Sequence, residues 1–264
     1  MKKYTYTLIA ILLLIGLFFL QRYQNTEISN NNIEAASNTT QLSRDSFLPK
    51  SNHQIVHHKS YSLSYNEMHE QADWTVHILN DNDIKNVDFK RPYFEIDDMV
   101  QTGAADWKNY KKSGYDRGHL VPAGDRRSSF EDYNETFLTS NISPQEHNFN
   151  AGVWNRIEQK IRYYVKKNGP IYVVTGSVFQ NDLGSIGYEN VTIPSAFYKI
   201  LLTKDGSNYK ALAFLVPHQE TDAAIYKFIT SIDTIEALTG NDFFYQLPDD
   251  IEENLERIAT NKGW

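Results

Sequence analysis

The sequence contains no cysteine, so neither disulfide bridges nor thiolate-bound zinc ions can stabilise its fold. It also lacks an excess of positive charge, because the formal net charge is −7. Proteins that coat nucleic acid through bulk charge are usually basic, so that class is disfavoured. A local basic face is still compatible with the composition, since acidic residues collect near the C-terminus and basic residues collect mid-chain: Lys108, Lys111, Lys112, Arg117, Arg126, Arg127, Lys160, Arg162, Lys166 and Lys167.

One long apolar run, residues 7–20, follows Lys2 and Lys3 and has the layout of an export signal. The run is shorter than the about 20 apolar residues that a membrane span needs. Tyrosines at 4 and 6 suit a membrane interface and bring it to a marginal length. We predict that residues 1–22 are a signal or membrane anchor that contacts the membrane. The protein is then exported, and is periplasmic, secreted or membrane-anchored outside the cytoplasm; whether the segment is cleaved stays open.

The following stretch, residues 23–54, is rich in Asn, Ser, Thr and Gln and predicts a flexible polar tether. Residues 55–264 form the predicted folded domain. Alternating or continuous apolar runs predict strands at 61–65, 74–79, 171–174, 200–202 and 211–216, the last two joined by a hairpin turn at 205–208.

Apolar residues at three- and four-residue spacing over 153–165, before Asn168-Gly169-Pro170, predict a helix. A second helix is predicted over 223–238 and is closed by Gly240. Because the strands cluster without regular βαβ alternation, the pattern favours an α+β architecture.

The first motif whose side chains are able to carry out a reaction is Asp116-Arg117-Gly118-His119. On a strand, Arg117 and His119 share one face. An imidazole can accept a proton near neutral pH, and a guanidinium can bind a phosphate through two parallel hydrogen bonds. The pair therefore fits a phosphodiester-cleaving site, although an ion-paired structural histidine in a turn is an equally open interpretation of these residues alone.

The second motif places Asn150 at the start of the predicted helix and Glu158 eight residues later. Magnesium commonly keeps several waters and takes only one or two protein oxygens, so the Asn150 carbonyl can serve as a ligand. Glu158 lies about 80° around the helix and about 12 Å along it. It therefore fits a contact with a water of the metal better than direct ligation. The alternative is an N-cap asparagine and a solvated glutamate.

The order and separation of these motifs resemble those of the sugar-non-specific ββα-metal endonucleases, the family of the secreted bacterial DNA/RNA nuclease and mitochondrial endonuclease G. The resemblance runs over residues 56–250. It implies an α+β, ββα-metal (His-Me finger) fold, in which helices and loops flank a central antiparallel sheet. The matching segments are Ala72-Asp73-Trp74, Arg91 with Phe94, Asp116-Arg117-Gly118-His119, 138–145, 150–158, Val174-Thr175-Gly176 and 192–196.

The resemblance also implies roles for individual residues. His119 matches the general base, and Asn150 matches the only direct protein ligand of magnesium. Manganese can take the place of magnesium. The resemblance further implies water ordering by Glu158, phosphate binding by Arg91 and Arg117, and supporting roles for Asn141 and Asp116.

The implied activity is endonucleolytic hydrolysis of DNA and RNA to 5′-phosphate products, with weak sequence preference because recognition is confined to phosphate and sugar. We expect Arg91, Arg117 and the basic residues between 108 and 127 to line a groove that faces away from the acidic C-terminus. The other seven histidines are expected to be structural or surface residues. Two alternatives stay open: a metal-dependent phosphodiesterase acting on small or non-nucleic phosphodiesters, and a non-catalytic nucleic-acid-binding module.

Overall fold

The structure is a computed structural model that describes residues 42–85, 87–181, 183–206 and 208–264. The predicted signal or anchor, and the predicted tether up to residue 41, lie outside these residues. Within the described ranges, no helix is both long enough and apolar enough to cross a membrane.

A seven-stranded sheet forms the centre of the domain, and every neighbouring pair of its strands is antiparallel. In their order across the sheet, the strands are β1 (Gln54–His57), β2 (Ser62–Asn66), β3 (Gln71–Leu79), β6 (Ile171–Val178), β9 (Ala196–Asp205), β10 (Asn208–Pro217) and β11 (Ile229–Thr230). The expected central antiparallel sheet is confirmed.

Two small antiparallel ribbons and five helices complete the regular structure of the described residues. The ribbons pair β4 (Asp116–His119) with β5 (Ile142–Gln145), and β7 (Ser185–Ile186) with β8 (Val191–Thr192). The helices are α1 (Phe130–Glu135), α2 (His147–Phe149), α3 (Asn155–Asn168), α4 (Ile232–Thr239) and α5 (Asp249–Glu256), and a π turn (Asn150–Trp154) joins α2 to α3. Short 3-10 helices lie at Arg44–Phe47, Asp81–Ile84, Trp107–Tyr110, Ala123–Asp125, Thr139–Asn141 and Ile225–Phe228.

Helix α3 is held on the sheet by the apolar stripe that its sequence predicts. Ile157, Ile161 and Tyr164 are buried in one cluster with Phe197 of β9. Trp154, just before the helix, packs on the Phe197 ring at 5.6 Å. The helix ends at Asn168, before Gly169 with a φ of 78°. This packing fixes the N-terminal end of the helix relative to the central sheet.

The predicted helix over 223–238 is wrong in its first half. Residues Ile225–Phe228 form a 3-10 helix, and β11 then pairs with β10. The helix α4 begins only after Ser231, whose hydroxyl accepts a hydrogen bond from the Thr234 amide. Ile229 and Thr230 are β-branched and the Ser231 side chain caps the helix, so local chemistry favours a strand and a fresh helix start. Gly240 closes α4 with a φ of 71°.

The folded unit begins at Ser43, earlier than the predicted boundary at residue 55. Phe47 is 8% exposed and its ring contacts Tyr172, Tyr209 and Phe244 at 5.7–6.2 Å. The Tyr172 hydroxyl also donates a hydrogen bond to the Phe47 carbonyl at 2.5 Å. A single aromatic anchor therefore packs a segment whose polar composition is typical of a tether.

We expect Phe47→Ala to lower the free energy of unfolding by about 3 kcal/mol, because Phe-to-Ala changes at packed sites cost about 3–5 kcal/mol. Urea denaturation measures this change. Phe130, which is 51% exposed, provides the control, and Phe130→Ala should cost less than about 1 kcal/mol. Equal losses in the two variants would mean that residues 43–47 do not belong to the folded unit.

Candidate active site

The β4–β5 ribbon positions His119 at the end of β4, opposite Ile142. The strand can lie this close to its partner only because residue 118 is glycine: a Cβ at Gly118 would collide with the side chain of Gln145. Arg117 and His119 both face Phe94, with the Arg117 guanidinium 5.3 Å from its ring and the imidazole 5.5 Å from it. The prediction that the two side chains share a face of a strand is confirmed.

The His119 ring lies in an aromatic enclosure, with Phe137 packed edge-on at 4.9 Å. Its Nε2 atom is buried and has no hydrogen-bond partner among the described residues. Burial, and then the positive charge of Arg91, lower the pKa of His119 to about 3. The imidazole is therefore neutral near pH 7, which is the form that accepts a proton.

Arg91 and Arg117 are held by aromatic rings and not by carboxylates. The Arg91 guanidinium lies 5.5 Å from the Phe137 ring, and that of Arg117 lies 5.4 Å from the Trp107 ring. In the described part of the chain, neither arginine forms an ion pair with an acidic side chain. Cation–π contacts orient a guanidinium without neutralising it, so both charges remain available to an anion.

The two arginines line two adjoining cavities. A cavity of about 600 Å³ is lined by Arg91, Pro92, Tyr93, Phe94, Trp107 and Arg117. A second cavity, of about 330 Å³, is lined by Arg91, Tyr110, Tyr115, Asp116, Arg117, His147 and Asn150. The structure thus brings Arg91, Arg117, Asp116 and Asn150 together at one place.

Asn150 does not start the helix as predicted. The helix begins at His147, because the carboxylate of Glu146 accepts hydrogen bonds from the backbone amides of Asn148 and Phe149 at 2.9 and 2.7 Å. Asn150 lies one turn further on, in the π turn, where Gly152 has a non-helical φ of −95° and ψ of −109°. Such π bulges are frequent at functional sites.

The amide of Asn150 is oriented by Asp116. A carboxylate can only accept, so the Asp116 Oδ2 atom takes a hydrogen bond from Asn150 Nδ2 at 3.0 Å. Among the described residues, the Asn150 Oδ1 atom then has no hydrogen-bond partner. The same carboxylate oxygen contacts His147 Nδ1 at 2.9 Å. Sequence reasoning missed His147 as a site residue, although its spacing three residues before Asn150 places both on one helix face.

Asn141 is fully buried and uses its whole side chain to hold the loop after His119. Its Oδ1 atom accepts from the Val121 amide at 2.9 Å, and its Nδ2 atom donates to the carbonyls of Val121 and Thr136 at 3.0 and 2.9 Å. With every amide atom bound to backbone, Asn141 is placed to position His119 and not to touch a substrate.

Glu158 lies in a buried charge cluster and not in the cavity that contains Asn150. Its carboxylate pairs with Arg162 at 3.4 Å, and Arg162 in turn pairs with Asp125 at 2.6 Å. Burial raises the pKa of Glu158, while the charges of Lys199 and Arg162 oppose that rise. The interpretation of Glu158 as a solvated residue is therefore wrong.

Lys199 completes this cluster and was missed by sequence reasoning. It is 1% exposed, and its Nζ atom donates to the Leu120 carbonyl at 3.3 Å and to Thr175 Oγ1 at 2.9 Å. It thereby ties the residue after His119 to strand β6. A lysine inside the apolar run of β9 is the signal that could have revealed it.

The basic face is smaller than predicted. Arg126 is 4% exposed and donates to the Ile78 carbonyl at 2.7 Å, with Asp83 at 3.5 Å. Lys108 pairs with Asp106 at 2.7 Å. The expectation that all basic residues between 108 and 127 line a groove is therefore wrong, because Arg126 supports the fold.

The similarity to known proteins covers the whole of this arrangement. A family model for DNA/RNA non-specific endonucleases matches residues 38–250. The chain belongs to the DNA/RNA non-specific endonuclease family. A nuclease from Nostoc sp. is 30% identical over 239 residues, covering 84% of this chain and 82% of the relative. Nuclease C1 of Cunninghamella echinulata is 33% identical over 210 residues, covering 73% of this chain and 83% of the relative.

The solved structure of EndoG in the EndoG/EndoGI complex superimposes with a TM-score of 0.73 at 25% identity, covering 81% of this chain and 96% of that one. The predicted ββα-metal, α+β fold is confirmed. The ββα element consists of β4, β5 and the helical segment from α2 to α3. The protein is a DNA/RNA endonuclease, so the alternative of a non-catalytic binding module is set aside.

We expect Asn141→Asp to lower the free energy of unfolding by about 3 kcal/mol or more, since it buries an uncompensated charge and removes two donated hydrogen bonds. Thermal denaturation measures the loss. The exposed Asn52 provides the control, and Asn52→Asp should leave the melting temperature almost unchanged. Similar melting of the two variants would show that Asn141 does not hold the loop after His119.

Proposed function

We propose that the protein is an exported, magnesium-dependent endonuclease that cleaves DNA and RNA without sequence preference and uses His119 as its general base. The observation that carries the proposal is the convergence of two guanidiniums, neither paired with a described carboxylate, on a cavity that also contains Asp116 and Asn150, beside a neutral histidine. Each of these groups has a function in the hydrolysis of a phosphodiester.

His119 is suited to remove a proton from the attacking water. Its buried Nε2 atom has no competing hydrogen bond within the described structure, and the ring is neutral. The aromatic rings of Phe94 and Phe137 fix its orientation. The water attacks phosphorus in line with the bond to the 3′ oxygen; that bond breaks, the 3′ oxygen takes a proton from solvent water, and the products carry a 5′-phosphate and a 3′-hydroxyl.

Arg91 and Arg117 bind the phosphate and stabilise the negative charge that develops as the water attacks. Preorganised donors stabilise this charge without reorganisation during the reaction. Because cation–π contacts already orient both guanidiniums, little side-chain freedom is lost on binding. Contacts of this kind read phosphate and not base, so both DNA and RNA serve as substrates.

The residues present fit a magnesium ion. Asp116 binds the Nδ2 atom of Asn150, and no described residue binds its Oδ1 atom. Hard oxygen ligands of this kind suit magnesium, or manganese in its place. The proposed ligand is Asn150 alone, with Asp116 as its orienting partner. When bound, the ion would supply positive charge that offsets the negative charge developing on the phosphate. Glu158, whose carboxylate pairs with Arg162 at 3.4 Å, would contact a water of the metal and not the metal itself.

We expect His119→Ala to reduce kcat by about 10²–10⁴-fold, because it removes the group that accepts the proton. Conversion of supercoiled plasmid and of an unstructured RNA, with magnesium or with chelator, measures activity and its metal dependence. The control is His57→Ala, since His57 lies on the outer strand β1 and is exposed. Near-normal turnover by well-folded His119→Ala protein would reject the assignment.

The pH profile gives a second readout for the same residue. Because the pKa of His119 is lowered, protonation of the base occurs further towards acid than for an ordinary histidine, whose pKa is about 6.5. The value of kcat/KM at saturating magnesium should therefore stay level on the acid side of neutrality. The variant His147→Gln removes the other histidine near the site. If kcat/KM of this variant still fell with a midpoint near pH 6.5, the assignment of His119 as a neutral base with a lowered pKa would be wrong.

We expect Asn150→Ala to raise the magnesium concentration for half-maximal rate roughly ten- to a hundred-fold, because it removes the only protein ligand. Magnesium titration of plasmid cleavage measures this shift. Asn148 lies on the same helix and bonds Glu220 at 3.0 Å, so Asn148→Ala is the matched control. An unchanged magnesium requirement in Asn150→Ala would mean that the metal binds elsewhere.

Cleavage of small phosphodiesters but not of plasmid by the unaltered protein would favour the phosphodiesterase alternative.

A further inference from the structure

Tyr93 is the most exposed large apolar side chain in the described structure, with an exposed fraction of 91%. It forms no hydrogen bond, ring contact or cation contact with the other described residues. It nevertheless lines the cavity of about 600 Å³ between Arg91 and Arg117. A bare aromatic ring of this kind, beside two charged groups that the proposed reaction uses, suggests a partner outside the chain.

The backbone on both sides of Tyr93 is restrained, so ligand binding by this side chain does not have to order the main chain. The Glu95 amide donates to the Phe137 carbonyl at 3.1 Å, and the Glu95 carbonyl accepts from the Thr139 amide at 2.9 Å. Pro92 has a restricted φ on the other side of Tyr93. A main chain that is already ordered loses little further conformational entropy when its side chain binds a ligand.

The other residues that line the cavity indicate which class of ligand it can bind. Trp107 and Phe94 supply aromatic surface, and each carries the Arg117 guanidinium over its ring at 5.4 and 5.3 Å. Aromatic rings interleaved with cations are the pattern with which proteins bind single-stranded nucleic acid, through base stacking and phosphate contacts. The volume also falls within the range of small-ligand pockets, about 300–1,000 Å³.

We propose that Tyr93, together with Trp107, forms a nucleobase-stacking subsite that receives a base next to the phosphate held by Arg91 and Arg117. The proposal rests on the proposed phosphodiester hydrolysis and adds a preference to it. Every base has a face that can stack, so the subsite adds no sequence preference. In a duplex the bases are already stacked and paired, and exposing one costs free energy. The subsite therefore favours unpaired strands of DNA or RNA.

The test compares binding of two single-stranded oligonucleotides of equal length, one of thymidine and one of abasic residues. Binding is measured in chelator with His119→Ala protein, so that no cleavage intervenes. The thymidine strand should bind tighter by roughly 5- to 100-fold, the range that stacking of a base on an aromatic side chain supplies. Adding Tyr93→Ala should remove most of this ratio, and Tyr93→Phe should keep it. In the cleavage assay, Tyr93→Ala should raise KM for single strands more than for duplex.

Tyr163 provides the matched control, because it is 56% exposed and contacts the Lys160 ammonium instead of either arginine. Tyr163→Ala should leave the thymidine-to-abasic ratio unchanged. Equal losses on both strands in Tyr93→Ala would mean that the ring only shapes the phosphate site, and no loss on either would mean that no base stacks there. Both results overturn the subsite while the unaltered protein still cleaves plasmid. Failure of the proposed function is distinct, because the unaltered protein would then not cleave plasmid at all.

Discussion

The β4–β5 ribbon that carries His119 has only two strands, and an isolated two-stranded ribbon is at best marginally stable in water. Its geometry must therefore be supplied by other parts of the domain. Asn141 binds the loop after β4, Lys199 ties the Leu120 carbonyl to the central sheet, and the absence of a Cβ at Gly118 lets Gln145 pack against the strand. The precision of the site is thus a property of the whole core, and a substitution beneath the ribbon can alter the chemistry without touching the substrate.

The spacing of apolar residues was sufficient to predict the long secondary-structure elements, because strands such as β3 and the helix α3 bury continuous apolar faces. It was insufficient where a few polar contacts decide the structure. The start of helix α2 depends on Glu146 as its cap, and the segment around Phe47 packs on the domain through one aromatic side chain. Motif order predicts His119 and Asn150 as site residues, but the contact between His147 and Asp116 required the fold, since the two residues lie 31 positions apart.

The role of a charged residue in this protein depends on whether its side chain is buried and paired. Several basic residues that suggest a nucleic-acid-binding face in the sequence neutralise acidic groups inside the fold, as Arg162 does for Asp125 and Arg126 does for Asp83. Arg91 and Arg117 differ because aromatic rings hold them and leave their charge unpaired by described carboxylates. An acidic protein can thus bind a polyanion through very few groups, provided that those groups are oriented before the substrate arrives.

The two outer strands of the central sheet are short, with four residues in β1 and two in β11. An outer strand exposes unpaired backbone amides and carbonyls, and a long one can recruit the sheet of a neighbouring molecule. Because β11 covers only Ala213 and Phe214 of the ten-residue strand β10, other groups must satisfy the rest of that strand, as the Trp264 indole N–H does by donating to the Ala211 carbonyl at 3.3 Å. Because the chain has no cysteine, no disulfide can hold its strands together after partial unfolding. Short and covered outer strands then favour refolding, because they offer few unpaired backbone groups for aggregation.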